Sequence, residues 1–211
     1  MKCEVITPPA TLPLDYASEA KPHLRLFDDT QQAYVQICME DATDFFQTET
    51  DCSLVTQTLM ATYYDSDAGF HHLHGYYAWG YGLNQYHHQR RRLPLPNGPV
   101  TSIVQVSANG VVVDPSQYDL RAAGNTDYLY LTSIATVMPP IEITYQAGFA
   151  TGLDEYGDYT QGLPKDIRRA LLYMVSNFFE QREPTTNKAN NIQNFGLERI
   201  FSKYRRTSMV G

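Results

Sequence analysis

Residues Leu163–Glu183 read LPKDIRRALLYMVSNFFEQRE, and their periodicity decides the architecture of the chain. Pro164 suits a first helical turn, where a missing N–H leaves no intrahelical acceptor unsatisfied. Asp166 places a negative charge near the positive end of the helix dipole. Ile167, Ala170, Leu171, Met174, Val175 and Phe178 recur at helical spacing and form one apolar stripe. Lys165, Arg169, Ser176 and Glu180 fall largely on the other side. Such a helix cannot bury its stripe alone, so a second apolar layer must come from elsewhere in the chain.

The complement lies near the other end. Asp28 and Asp29 make a helix start, and Tyr34, Ile37, Cys38, Ala42, Phe45 and Phe46 follow with a period of about 3.6 residues. This helix is predicted to end near Thr48. Ahead of it, Ser18 caps a short helix over roughly 18–25, limited by Pro22, and the Pro-rich residues 1–14 read as an extended arm.

Between the helices the period changes. Cys52 to Tyr64 contains SLVTQTLMATYY, rich in β-branched and aromatic residues, and predicts a strand. Leu93-Pro94-Leu95-Pro96 reads as an extended edge segment. Val100 to Ser107 alternates and runs through the hairpin signal Asn109-Gly110 into Val111–Val113. Tyr118–Arg121, Tyr128–Leu131 and Ile141–Tyr145 are three further short strands, separated by GNTD and MPP turns. The predicted class is therefore α+β: a helical layer from the N- and C-terminal helices with a small antiparallel β-domain inserted between them. The expected boundaries are 1–51 for the arm and first helices, and 52–148 for the β-domain with a long loop at 65–89. Residues 149–183 form a loop and the long helix, and 184–211 a polar linker and basic tail.

At 211 residues with 43% hydrophobic content, the chain is long and apolar enough for a substantial core. Its net charge of −7 argues against general nucleic-acid binding, which rests on phosphate neutralisation. The charge is uneven. Residues 1–89 carry 3 Lys+Arg against 12 Asp+Glu, whereas residues 165–211 carry 9 against 4. That division suits head-to-tail contacts between copies; two ordinary solvated faces explain it equally well. Cys3, Cys38 and Cys52 show no CxxC spacing, which points away from a disulfide framework or thiolate zinc site and toward a reducing compartment. The first residues lack the apolar core of a signal peptide, and no apolar run approaches a bilayer-spanning length of roughly 20 residues. No membrane partner and no cofactor are expected.

Several segments, in order, carry a resemblance. Ala20-Lys21-Pro22-His23-Leu24-Arg25-Leu26 precedes acidic residues and a helix, and Thr56-Gln57-Thr58 opens the first central strand. Leu93-Pro94 is followed by Pro99-Val100-Thr101-Ser102-Ile103, and Ile143-Thr144-Tyr145-Gln146-Ala147-Gly148-Phe149 closes the β-region. The Pro-led helix then runs to Arg182-Glu183, ahead of FGLERIFSKYRR near the end of the chain. This series resembles the head-to-tail connector (adaptor) proteins of tailed bacteriophages. The resemblance implies a structural, non-enzymatic virion protein of the neck, assembled in the bacterial cytoplasm. Such proteins form a homo-oligomeric ring of about twelve subunits beneath the portal protein. The ring extends the DNA channel without sequence-specific binding, and it docks a downstream neck or tail protein. A stopper protein of the same neck is the nearest alternative; those are usually β-rich throughout.

The tail supplies Phe195, Leu197, Ile200, Phe201 and Tyr204 as apolar knobs, with Arg199, Lys203, Arg205 and Arg206 between them. In that context it reads as a portal-binding segment. A terminal helix packed on its own domain is the other reading. The loop at 65–89 departs from the family, whose connection there is much shorter. It carries Phe70, Tyr76, Tyr77, Trp79, Tyr81 and Tyr86, together with His71, His72, His74, His87 and His88. Aromatics on a Gly-rich loop offer contact area at low entropic cost, so Phe70, His71, His72, His74, Tyr76, Tyr77, Trp79, Tyr81 and Tyr86 are assigned to an inter-subunit or neck contact. A loop folded onto its own domain and a carbohydrate- or metal-binding module remain the alternatives. The absence of carboxylate or cysteine between the histidines argues against a physiological metal site. Arg90-Arg91-Arg92 suits channel DNA, an acidic partner or a solvated strand edge. No GxSxG, HExxH or phosphate-loop motif is present, and no catalytic residue is assigned.

Overall fold

The computed structural model describes residues 1–64, 91–131, 139–149, 162–180 and 195–206. It is α+β, with a helical layer drawn from both ends of the chain and two antiparallel sheets between them. The aromatic and histidine-rich loop and Arg182-Glu183 lie outside the described residues.

The helical layer is built on α2 (Gln32–Thr50) and α3 (Lys165–Glu180), which pack directly on each other. Ahead of α2, a π-helical turn at Tyr16–Ala20 runs into the short α1 (Lys21–His23). The helix predicted over 18–25 is thus a turn of five residues and one of three. Asp15, rather than Ser18, caps it: the Asp15 carboxylate accepts from the Ser18 backbone N–H at 2.7 Å and from its hydroxyl at 2.8 Å. α2 begins after Asp28 and Asp29 because both carboxylates are engaged elsewhere. Asp28 accepts from the backbone and hydroxyl of Thr30, and Asp29 accepts from Tyr16 and Lys21. At its far end α2 extends to Thr50 and closes on Asp51, a left-handed residue with φ 55°.

Val35, Cys38, Met39, Ala42 and Phe46 of α2 face Ile167, Ala170, Leu171, Met174 and Val175 of α3 in one buried cluster. The α3 face is the apolar stripe read from the sequence; on α2 the predicted Cys38, Ala42 and Phe46 are buried, whereas the predicted Ile37 and Phe45 turn outward and Val35 and Met39 take their place in the core. Leu54 joins the same cluster, its backbone N–H held by the Gln47 side chain at 3.2 Å. Leu54 therefore serves the helical core, and the strand predicted from Cys52 starts at Gln57.

Five strands form the larger sheet in the order β1-β2-β8-β4-β5: β1 (Lys2–Thr7), β2 (Gln57–Tyr63), β8 (Ile141–Ala147), β4 (Val100–Ala108) and β5 (Val111–Val112). The N-terminal residues read as an extended arm include an edge strand, with Cys3 opposite Ala61. β2 and β8 pair without interruption from Gln57↔Ala147 to Tyr63↔Ile141. The β4–β5 hairpin turns on Asn109 and Gly110, both at positive φ, as a type I′ turn requires. The smaller sheet runs β3-β7-β6: β3 (Arg91–Leu95), β7 (Thr126–Leu131) and β6 (Tyr118–Ala123). Pro94 is tolerated in β3 because, among the described residues, this is an edge strand with one unpaired side.

The two sheets share a second core. Leu59, Ala61, Ile141, Ile143 and Val106 of the larger sheet meet Leu93, Leu95, Leu129 and Leu131 of the smaller. Tyr145 is fully buried there and donates its hydroxyl to the Pro96 carbonyl at 2.8 Å. Burial pushes this phenol well above its ordinary range.

Candidate assembly surfaces

The C-terminal segment is one of the links between the two cores, beside the Ser53 backbone and hydroxyl hydrogen bonds to the Gly98 and Asn97 carbonyls. Its α4 (Phe195–Tyr204) is amphipathic, and Leu197 and Phe201 are buried in the helical cluster. The Phe201 ring lies 5.3 Å from that of Phe46 and 6.0 Å from that of Phe45. Tyr204 meets Phe149, just beyond β8, edge-on at 5.8 Å, and its hydroxyl donates to Asp166 at 2.8 Å. Lys203 also reaches Asp166, at 2.6 Å. Burial alone raises the Asp166 pKa, but these two hydrogen bonds outweigh it and hold the carboxyl below its ordinary value.

Beyond α4 the chain threads between the end of α2 and the turns of the β-domain. Arg205 pairs with the Glu49 carboxylate at 2.9 Å and donates to the Glu49 carbonyl. The Arg206 backbone N–H donates to the Thr50 carbonyl at 2.9 Å, while its guanidinium reaches Asp127 at 2.7 Å. Asp127 also accepts from the Val100 backbone N–H at 2.8 Å. Asn125, in the β6–β7 turn, donates to the carbonyls of Lys203 and Arg205. Nearby, Cys52 donates its thiol to the Tyr204 carbonyl, and burial raises that thiol's pKa. The tail is thus a strap from the helical layer to the smaller sheet.

This geometry divides the residues read as a partner-binding tail. Leu197 and Phe201 are committed to this chain's core, Ile200 and Tyr204 are half-buried, and the Arg206 side chain is largely buried. Arg199, Lys203 and Arg205 are exposed, the last two already in ion pairs within the chain. Of Phe195 only its place at the start of α4 is described. The loop residues Phe70, His71, His72, His74, Tyr76, Tyr77, Trp79, Tyr81 and Tyr86 lie outside the described residues, as does Arg90. Asp127, near the start of β7, escaped the sequence reading because it follows a turn signal with no motif around it. The one available signal was an acidic residue beside a strand.

The outer surfaces of the helical layer carry opposite charge. α2 has no Lys or Arg in its 19 residues, and Glu40, Asp41 and Asp44 are exposed. Beside them stand Ile37, 53% exposed, and Phe45, 40% exposed. On α3 the exposed row is Lys165, Arg169 and Tyr173, the tyrosine 48% exposed, with the acidic Glu180 exposed at the end of the helix, two turns beyond Tyr173. Each helix turns its buried stripe to the shared core, so these outer rows point away from each other. Among the described residues no three His, Cys, Asp or Glu side chains come together as a metal site. None of the described helices is long and apolar enough to cross a membrane.

No protein-family model matches the chain, and no curated protein matches it in sequence. Solved structures do share its fold. One is a chain from the neck of an empty gene transfer agent particle computed with C6 symmetry, at 17% identity and a TM-score of 0.69. A second comes from the virion of a native gene transfer agent particle, at 18% identity and a TM-score of 0.68. A third comes from the neck of the native particle computed with C12 symmetry, at 16% identity and a TM-score of 0.63. In every case the match covers 100% of this chain and 98% of the other. From its first strand to its last helix, the chain has the fold of these particle components.

Proposed function

We propose that this protein is a structural component of the neck of a phage-like particle, acting as a head-to-tail adaptor. In this reading about twelve copies form a ring beneath the portal, extend the DNA channel and dock the next neck or tail protein. The observation that carries it is the full-length fold likeness to neck chains of gene transfer agent particles. The ordered adaptor-like segments in the sequence support the adaptor role within the neck. The chain's part is mechanical rather than catalytic: the strap of residues 203–206 helps make the two cores one body able to transmit load between neighbours.

The tail's exposed basic residues, Arg199 foremost, are the portion of the predicted portal-binding segment left for a partner. The long aromatic loop is assigned to a neighbouring subunit or the next neck component. Electron microscopy of particles labelled on this protein tests the reading. A labelled ring at the vertex between head and tail, with about twelve copies, is the expected result. One or two copies per particle, or label elsewhere in the virion, sinks it. Arg199→Glu is expected to weaken joining to DNA-filled heads while leaving the fold intact. Unchanged head binding would remove Arg199 from the contact.

A further inference from the structure

Glu40, Asp41 and Asp44 form an exposed acidic row on α2, and among the described residues none of them is in an ion pair. The same holds for Lys165 and Arg169 on α3. Each row includes exposed apolar area: Ile37 and Phe45 on the acidic side, Tyr173 on the basic side. The spacing also agrees. Ile37, Asp41 and Phe45 are four residues apart, and so are Lys165, Arg169 and Tyr173, the spacing of the ridges that interdigitate when two helices pack.

We infer that the outer face of α2 in one copy docks on the outer face of α3 in the next. The occupant is a second copy of this chain because it carries both halves of the complement. The two faces differ in residue and charge and point away from a common core. Each copy therefore offers one face forward and the other back, giving a heterologous contact that propagates around a ring. Charge complementarity sets the direction and register of the contact. The apolar side chains at 37, 45 and 173 supply area that an isolated chain leaves in water. The inference rests on the ring reading above but names the surface, which that reading does not.

Two full-length charge-reversed chains test it. The first carries Glu40→Lys, Asp41→Lys and Asp44→Lys, so that both of its faces are basic. The second carries Lys165→Glu and Arg169→Glu, so that both are acidic. Circular dichroism is expected to match the wild type for each, since all five positions are solvent-facing. In sedimentation at low ionic strength the wild type is expected to self-associate, and each variant alone to lose that association. An equimolar mixture is expected to recover it, because alternating copies again place acid against base. Added salt is expected to weaken the wild-type and mixed assemblies alike. Association of either variant alone at the wild-type level overturns the interface. So does a mixture that stays monomeric, or a wild type that stays monomeric up to its solubility limit. The ring reading is judged separately by copy number in particles. Wild-type copy number retained by both charge-reversed chains would leave that reading standing and remove this surface from it.

Discussion

Arg206 and Asp127 form an ion pair at 2.7 Å with side chains only 10% and 11% exposed, joining the end of the described chain to a strand 79 residues earlier. Breaking a pair at this depth leaves a charge without its partner, so Arg206→Ala is expected to destabilise the fold by about 3 kcal/mol. Chemical denaturation measures this. A loss below about 0.5 kcal/mol, the range of ordinary surface changes, would show that the strap bears little of the fold's stability.

Gly98 sits directly under that guanidinium. A Cβ there would lie 2.1 Å from Arg206 Nη1 and 2.6 Å from Asp127 Oδ2. Gly98→Ala must therefore displace the ion pair, and its cost should fall sharply once Arg206 is already alanine. The coupling in a double-mutant cycle is expected to be on the order of 1–3 kcal/mol. Simple additivity would mean that the crowding is relieved elsewhere.

Truncation before residue 195 should unfold or loosen the domain rather than release a docking arm. Leu197 and Phe201 belong to the helical core, so Leu197→Ala is expected to cost roughly 2–5 kcal/mol and Phe201→Ala roughly 3–5 kcal/mol. A truncated chain that melts at the wild-type temperature would contradict this assignment.

Asp51 and Asp166 should give opposite pH signatures. Burial raises the Asp51 pKa, and its Oδ2 has no hydrogen-bond partner among the described residues. The folded state thus binds the proton more tightly than the unfolded one, and this group's contribution to stability falls as pH rises from the ordinary carboxylate value through the raised one. Asp51→Asn keeps a residue that tolerates the left-handed conformation and removes the buried charge. It is expected to stabilise modestly at neutral pH, because the group is only partly buried and its charge partly screened, with the gain vanishing in acid. Equal or lower stability of this variant at neutral pH would count against the buried charge.

At Asp166 the folded pKa is depressed. Its contribution is therefore present above the ordinary carboxylate value and is lost as pH falls through the depressed one. Asp166→Asn should destabilise modestly at neutral pH, because the carboxylate is partly exposed and screened. The difference from wild type should close in acid. A difference that does not depend on pH would place the effect in packing rather than charge.

The sequence by itself determined whatever depends on chain geometry within a few residues. The apolar period of Ile167 to Val175 specified α3 and its buried face, and Asn109-Gly110 specified a hairpin because two successive residues there had to adopt positive φ. The division into a helical layer with an inserted β-region was legible for the same reason. The onset of α2 was misread because Asp28 and Asp29, good capping residues in isolation, are drawn to Thr30, Tyr16 and Lys21 in the folded chain. Only the tertiary structure decided that residues 2–7 complete a sheet and that the tail serves its own domain. The pattern of Leu197, Phe201 and Tyr204 states that a helix face must be covered, and it carries no information about what covers it. That choice follows from the surface offered by Phe45, Phe46 and Phe149 and from the site where Asp127, Asn125 and Thr50 receive the strap, groups separated by long stretches of chain and brought together only by folding.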